Sequence, residues 1–168
     1  MQPNQLPKMN MDKSETDCCP KFNPEGWDGT RVTFDNKKFV KTKIRSFLHM
    51  PLNMGSVFKR AMANIEKAQA SPPDHYLILS HDVSAWYGYH YIAVTKEVPE
   101  EGMTTLNGSY LTKVFEGPYQ DARKWAPAMA NYVKSQGKET KKLYFFYTTC
   151  PKCLKHFGKN YIVAFAEV

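Results

Sequence analysis

A shift of 67 residues lays much of this chain on itself without a gap. Pro51 falls on Pro118, Ala61-Met62-Ala63-Asn64 on Ala128-Met129-Ala130-Asn131, Lys67 on Lys134 and Gln69 on Gln136. The same shift carries residues 76–80 onto 143–147, and three additional residues around Cys150 and Cys153 then bring Tyr91-Ile92 onto Tyr161-Ile162. The identities occupy matching places in two strand-helix-strand-strand patterns, which marks a tandem duplication. One such unit covers one face of a small sheet with its helix and leaves the other face bare, so two copies are expected to pair. The expected fold class is therefore α+β: an antiparallel sheet with two helices, pseudo-two-fold symmetry and a cleft between the repeats.

The elements follow from hydrophobic period and turn chemistry. Residues 1–25 are rich in Pro, Asn, Asp and Ser, carry no period, and are expected to form a flexible arm. A single domain is expected over 26–168, with repeat one about 44–95 and repeat two about 109–168. Asp35-Asn36 reads as the turn of a short hairpin between strands at 31–34 and 38–41, with a further strand at 44–50. Asn53 is the expected N-cap of a helix over 54–70, whose apolar stripe is Val57 or Phe58, Ala61, Met62 and Ile65. Pro72-Pro73 stops it, and strands are expected at 76–80 and 86–95. After a loop over 97–102, a short segment at 103–106 and the turn Asn107-Gly108, a strand is expected at 109–116. A second helix is expected over 118–135, with Pro118 at its first position and Trp125, Met129 and Tyr132 as its stripe. Strands at 143–148 and 160–167 close the chain.

Charge and composition narrow the function classes. The net charge of +7 is spread over lysines at segment ends (Lys37, Lys38, Lys41 and Lys43; Lys138, Lys141 and Lys142; Lys152, Lys155 and Lys159). There is no helix-turn-helix, zinc-finger spacing or basic helical stripe, so no nucleic-acid partner is expected. No apolar run approaches a membrane span and no signal-peptide core opens the sequence, so a soluble, cytoplasmic protein is expected. Two aromatic runs stand out in a chain that is 14% aromatic, Trp86-Tyr87-Gly88-Tyr89-His90-Tyr91 and Tyr144-Phe145-Phe146-Tyr147. Aromatics at strand period pack cores, and they also stack planar ligands and cations.

The duplicated units, the Val114-Phe115-Glu116-Gly117-Pro118-Tyr119 segment and the late aromatic strand are similar to the GyrI-like small-molecule-binding domains, which include effector-binding domains of bacterial multidrug regulators. The resemblance covers roughly residues 30–168. It implies a stand-alone, bacterial protein that binds a lipophilic, planar or cationic compound in an aromatic cleft between its repeats. Some stand-alone members of that family are similar to hydrolases of reactive, cyclopropane-bearing electrophiles, and this is the alternative reading. The family often carries a glutamate on its late aromatic strand; residues 143–148 here have none. No cofactor is implied.

The candidate ligand-binding residues are His49, Trp86, Tyr89, Tyr144, Phe145, Tyr147, Glu116 and Trp125. Glu116 and Tyr147 are the catalytic candidates. Glu116 ends a strand just before a helix, where a carboxylate can act as acid or base or simply complement the helix dipole. The repeat puts His49 at its equivalent position. Alternation separates Leu143, Phe145 and Tyr147 from Tyr144, Phe146 and Thr148, and one set is expected to meet the cleft.

Cys150-Pro151-Lys152-Cys153 has thioredoxin-like spacing, but only residues 154–159 separate it from the next strand, so no activating helix is expected. A zinc site needs more ligands: His156 would make three, and Cys18-Cys19 are placed far off on the arm. A reduced pair in an inserted turn is the expectation, with a thiol redox or zinc role as a further alternative and no metal assigned.

Overall fold

The computed structural model describes residues 1–13 and 15–168. Its elements are β1 (Arg31–Phe47), β2 (Met50–Pro51), α1 (Met54–Lys67), β3 (Ile78–Asp82), β4 (Tyr87–Ala93), β5 (Met103–Glu116), a 3-10 turn at Tyr119–Asp121, α2 (Ala122–Ser135), β6 (Lys142–Tyr147), α3 (Pro151–Phe157) and β7 (Tyr161–Glu167). The fold is α+β, and the pairs β1–β4, β3–β4, β5–β7 and β6–β7 are antiparallel. The chain divides into two compact units: a central unit, Asn36–Asn107, and a terminal unit, Met1–Asp35 with Gly108–Val168.

Each unit repeats strand, helix, strand, strand. In the central unit β1 pairs with β4 through Val40↔Ile92 and Lys43↔Tyr89, and β4 pairs with β3 through Ser80↔His90. In the terminal unit β7 lies between β5 and β6, with Phe115↔Ile162 and Tyr147↔Ile162 in register. The two helices that occupy the repeat are each 14 residues long.

The hairpin expected at Asp35-Asn36 is a correction: residues 31–47 form one strand. Asn36 does take a left-handed φ of 46°, but its N–H is held by the Asn107 side chain at 2.7 Å, and the strand continues through it. Likewise Asn107-Gly108 lies inside β5, with Gly108 at φ 106°, rather than in a turn between two segments. A left-handed residue therefore marks each point where the chain passes from one unit to the other.

In α1 the buried stripe is Val57, Ala61 and Ile65, and Met62 is exposed. Asn53 precedes α1 but makes no side-chain cap; its Oδ1 accepts from the Arg45 backbone N–H at 2.8 Å. α1 covers the β1–β4 face that carries Val40 and Ile92, together with Val94 and Val98. In α2 the stripe is Trp125, Met129 and Val133, with Tyr132 packed alongside. α2 lies on Leu111, Leu143, Phe145 and the small side chains of Ala164 and Ala166, which leave room for the helix.

The opposite face of the terminal sheet carries Tyr144, Phe146 and Phe165, and the residues before β1 cover it. Phe22 and Trp27 pack there, with ring centroids 6.1 Å and 5.9 Å from Phe146. Trp27 also lies 6.1 Å from Phe165, and Phe34 bridges to Tyr110 at 4.9 Å. Residues 1–25 contain no helix or strand among the described residues, yet they are fastened to this unit: the Asn4 N–H donates to Thr33 at 2.8 Å, and Pro7, Pro20 and Phe22 are buried.

Candidate functional site

Alternation sorts the central unit into two faces. With α1 on the Val40/Ile92 side, Tyr87, Tyr89 and Tyr91 point from the other side, beside Lys41, Lys43 and Arg45 of β1. Lys41 Nζ sits 4.2 Å above the Tyr89 ring and Lys43 Nζ 4.4 Å above Tyr87. The three rings form a ladder, with centroids 5.9 Å apart for Tyr87–Tyr89 and 6.5 Å for Tyr89–Tyr91. Burial raises the Tyr91 hydroxyl above its ordinary value, and Tyr89 adds to this. The result is a row of aromatic rings whose electron-rich faces already hold the protein's own ammonium groups.

Two other expected residues lie at one end of this unit. Trp86 is 58% exposed and packs edge-on against Phe47 at 5.7 Å. His49 is exposed, in a turn at φ 67°, with its N–H bonded to Ala85 at 2.9 Å. Leu48, Met50 and Leu52 are exposed around them, so this end of the central unit presents an apolar rim.

In the terminal unit the expected residues separate. Tyr144 is 1% exposed and belongs to the aromatic core, where it meets Tyr110 at 6.1 Å. Trp125 is buried and stacked on Phe115 at 5.9 Å. Phe145 and Tyr147 share the α2 face, with Tyr147 half-buried against Tyr119 at 5.9 Å. Glu116 is exposed and registers with Tyr161, whereas Tyr147 registers with Ile162. Neighbouring residues of one strand face opposite ways, so Glu116 and Tyr147 leave the sheet on opposite faces.

Sequence reasoning missed two polar groups of the central unit. The Glu101 side chain, 2% exposed, accepts from Arg60 Nε at 3.2 Å and from the Asn64 amide at 2.8 Å. Glu101 lies in a loop with no period, and nothing local signals its burial. His90, directly across from Ser80, has a buried Nδ1 without a partner. Burial pushes the His90 pKa below its ordinary value, with Asp82 opposing. His75 is lowered too, by burial and then by Lys37, against the opposing effect of Asp74.

These two histidines give a pH dependence of definite sign. Each binds its proton more weakly folded than unfolded, so the unfolded chain takes up protons first as pH falls. Their stabilisation is present above the unfolded value of about 6.5 and declines below it. Urea midpoints are expected to drop between about pH 7 and about pH 5.5, and His90→Gln is expected to shallow that slope without abolishing it, because His75 remains.

The cysteines are the clearest departure from the sequence reading. Cys150 is followed by a helix, α3, with Pro151 in its first turn and Gly158 ending it at φ 72°. Seven residues suffice because proline starts a helix and a left-handed glycine stops one sharply. Cys18 and Cys19 are not far off: with Cys150 and Cys153 they form one cluster, all four Sγ atoms within 4.8 Å of one another. Cys18 Sγ is 3.7 Å from both Cys19 Sγ and Cys150 Sγ, and the Cys150 N–H points at Cys19 Sγ at 3.5 Å. None of the four is in a disulfide. His156 instead meets Glu15 at 3.3 Å.

Crowding separates the thiols. Burial pushes Cys19 well above the ordinary thiol range, and burial and its neighbours also raise Cys18. For Cys153 burial acts upward, but hydrogen bonds from Thr16, the Cys19 backbone and the adjacent thiols outweigh it and bring the group down to about 6. The Tyr119 hydroxyl, which donates to the Thr149 carbonyl, is raised by burial and then by the charges of Cys150, Cys19 and Cys153.

Comparison with known proteins adds the following. A family model described as bacterial hydrolase matches residues 9–168. No curated protein matches the chain. Among solved structures, a hydrolase encoded by lin2189 from Listeria innocua has a TM-score of 0.56 at 11% identity, over 96% of this chain and 100% of its own. SAV2435 bound to tetraphenylphosphonium has a TM-score of 0.48 at 13% identity, over 82% of this chain and 91% of its own.

Proposed function

Because this chain belongs to the bacterial hydrolase family, we propose that it hydrolyses a reactive, lipophilic, planar small molecule, as a stand-alone relative of the GyrI-like ligand-binding proteins. The family match over residues 9–168 carries the reaction class. The Tyr87–Tyr89–Tyr91 ladder and the apolar rim around Phe47 and Trp86 support the ligand class, since stacked rings and exposed apolar side chains reward flat, apolar partners. Lys41 and Lys43 already occupy the ring faces and add positive charge, which favours neutral or anionic compounds over cationic ones.

The test is turnover of a panel of aryl esters, epoxides and cyclopropane-bearing compounds, followed by mass spectrometry, with thermal shift read in parallel. Tyr89→Ala is expected to raise KM about tenfold, equivalent to about 1.4 kcal/mol of binding, with a smaller effect on kcat. Within the terminal unit, Tyr147 and Glu116 are the candidates for placing a water, and they leave its sheet on opposite faces. Comparing kcat for Tyr147→Phe and Glu116→Gln identifies which of them acts. Compounds that raise the melting temperature without being consumed would favour the second reading, a protein that only binds such molecules. A panel with neither turnover nor thermal shift would overturn both.

A further inference from the structure

We infer that Cys18, Cys19, Cys150 and Cys153 bind one zinc ion as a four-thiolate structural site that fastens the N-terminal segment to α3. Zinc held tetrahedrally by sulfur at about 2.3 Å separates its ligands by roughly 3.8 Å. The observed separations are 3.7 Å for Cys18 to Cys19 and 3.7 Å for Cys18 to Cys150, and no pair of the four exceeds 4.8 Å. A disulfide would need about 2.05 Å. The sulfurs are thus spaced as the corners of a coordination tetrahedron, too far apart for bonded pairs.

The surroundings suit thiolates. The Cys150 backbone N–H points at Cys19 Sγ at 3.5 Å, the kind of outer contact that orients metal-bound sulfur. The Thr16 hydroxyl bonds the Cys19 carbonyl at 3.0 Å and shapes the turn that brings two adjacent cysteines to one centre. With all four ligands as thiolates, the zinc centre carries a net charge of −2. Lys21, Lys152 and Lys155 lie within two positions of the ligands in sequence and put positive charge on the same segments. Four thiolates leave no open position for substrate, so the site is structural and stands apart from the proposed hydrolysis.

The ligands come from two distant parts of the chain, Cys18 and Cys150 being 132 positions apart. A metal there closes a long loop and holds residues 16–20 in place, beside the Phe22 and Trp27 that cover the terminal sheet.

Protein purified from cells without chelator is expected to carry one zinc per chain by elemental analysis. Replacement by cobalt(II) is expected to give the intense visible bands of a tetrahedral thiolate centre. Cys18→Ser, at an exposed position that leaves the core intact, is expected to weaken zinc retention at least tenfold against a chromophoric chelator, and Cys153→Ser more so. Zinc removal is expected to lower the melting temperature and to open cleavage sites within residues 1–25 in limited proteolysis. A chain that holds no zinc as isolated and takes up none on titration would overturn the inference. So would iron in place of zinc, or a Cys18–Cys150 disulfide found by peptide mass mapping.

Discussion

Trp27→Ala is expected to lower the free energy of unfolding by about 3–5 kcal/mol, the range seen when a buried Trp or Phe is cut to Ala. Trp27 is fully buried and touches Phe22, Phe146 and Phe165. Its carbonyl accepts from the Thr112 hydroxyl, so its backbone is fixed to β5 as its ring is fixed to β6 and β7. The cavity left by alanine would lie between the sheet and the segment that covers it, and a rigid antiparallel sheet collapses poorly onto such a hole. Trp27→Phe separates ring packing from polarity. The Trp27 Nε1–H is buried with no partner, and phenylalanine removes that unsatisfied donor, so part of its lost packing is offset. The expected order of urea midpoints is wild type, then Trp27→Phe, then Trp27→Ala. Equal midpoints for wild type and Trp27→Ala would show that residues before β1 contribute nothing to this core.

Gly88→Val is expected to cost about 3 kcal/mol or more, near the upper end for overpacking. Gly88 lies within β4 between Ile44 of β1 and Asp82 of β3. A Cβ there would come within 2.8 Å of the His81 carbonyl oxygen and 3.3 Å of Asp82 Cα, both backbone atoms that move only if β3 moves. Alanine meets the same obstruction with fewer atoms and is expected to be milder. Because β4 carries Tyr87 and Tyr89, the substitution is also expected to weaken ligand binding in the thermal-shift assay. By contrast, Gly55 in α1 has open space around its Cβ position, and Gly55→Ala is the matched control, expected to be neutral or slightly stabilising. A Gly88→Val midpoint equal to that of the Gly55→Ala control would remove the steric argument.

Much of the fold was legible because its signals are local. The helical stripe Val57-Ala61-Ile65 and its partner Trp125-Met129 are set by the 3.6-residue period within one element. The tyrosine ladder is set by the two-residue period of β4. Asp35-Asn36 and Asn107-Gly108 were read as turns; Asn36 and Gly108 do take positive φ, but such a residue can reverse a chain or sit inside a strand. What pairs alongside decides between these, and for Asn36 it is the side chain of Asn107. The site was legible only in part. Tyr89 joins a partly exposed ladder, whereas Tyr144, chosen by the same aromatic signal, is a core residue because Tyr110 and the residues before β1 close its face.

The sequence by itself determined the repeat, the order of strand and helix in each copy, and which side chains of each strand share a face. Each of these depends on spacing along a few residues of chain. Only the tertiary structure decided that Glu116 and Tyr147 stand on opposite faces, that Glu101 is buried against Arg60, and that a segment without periodicity covers the terminal sheet. It alone brought Cys18 and Cys19 to Cys150 and Cys153. Contacts between residues more than a hundred positions apart follow from how the whole chain closes, and no local pattern in the sequence carries that information.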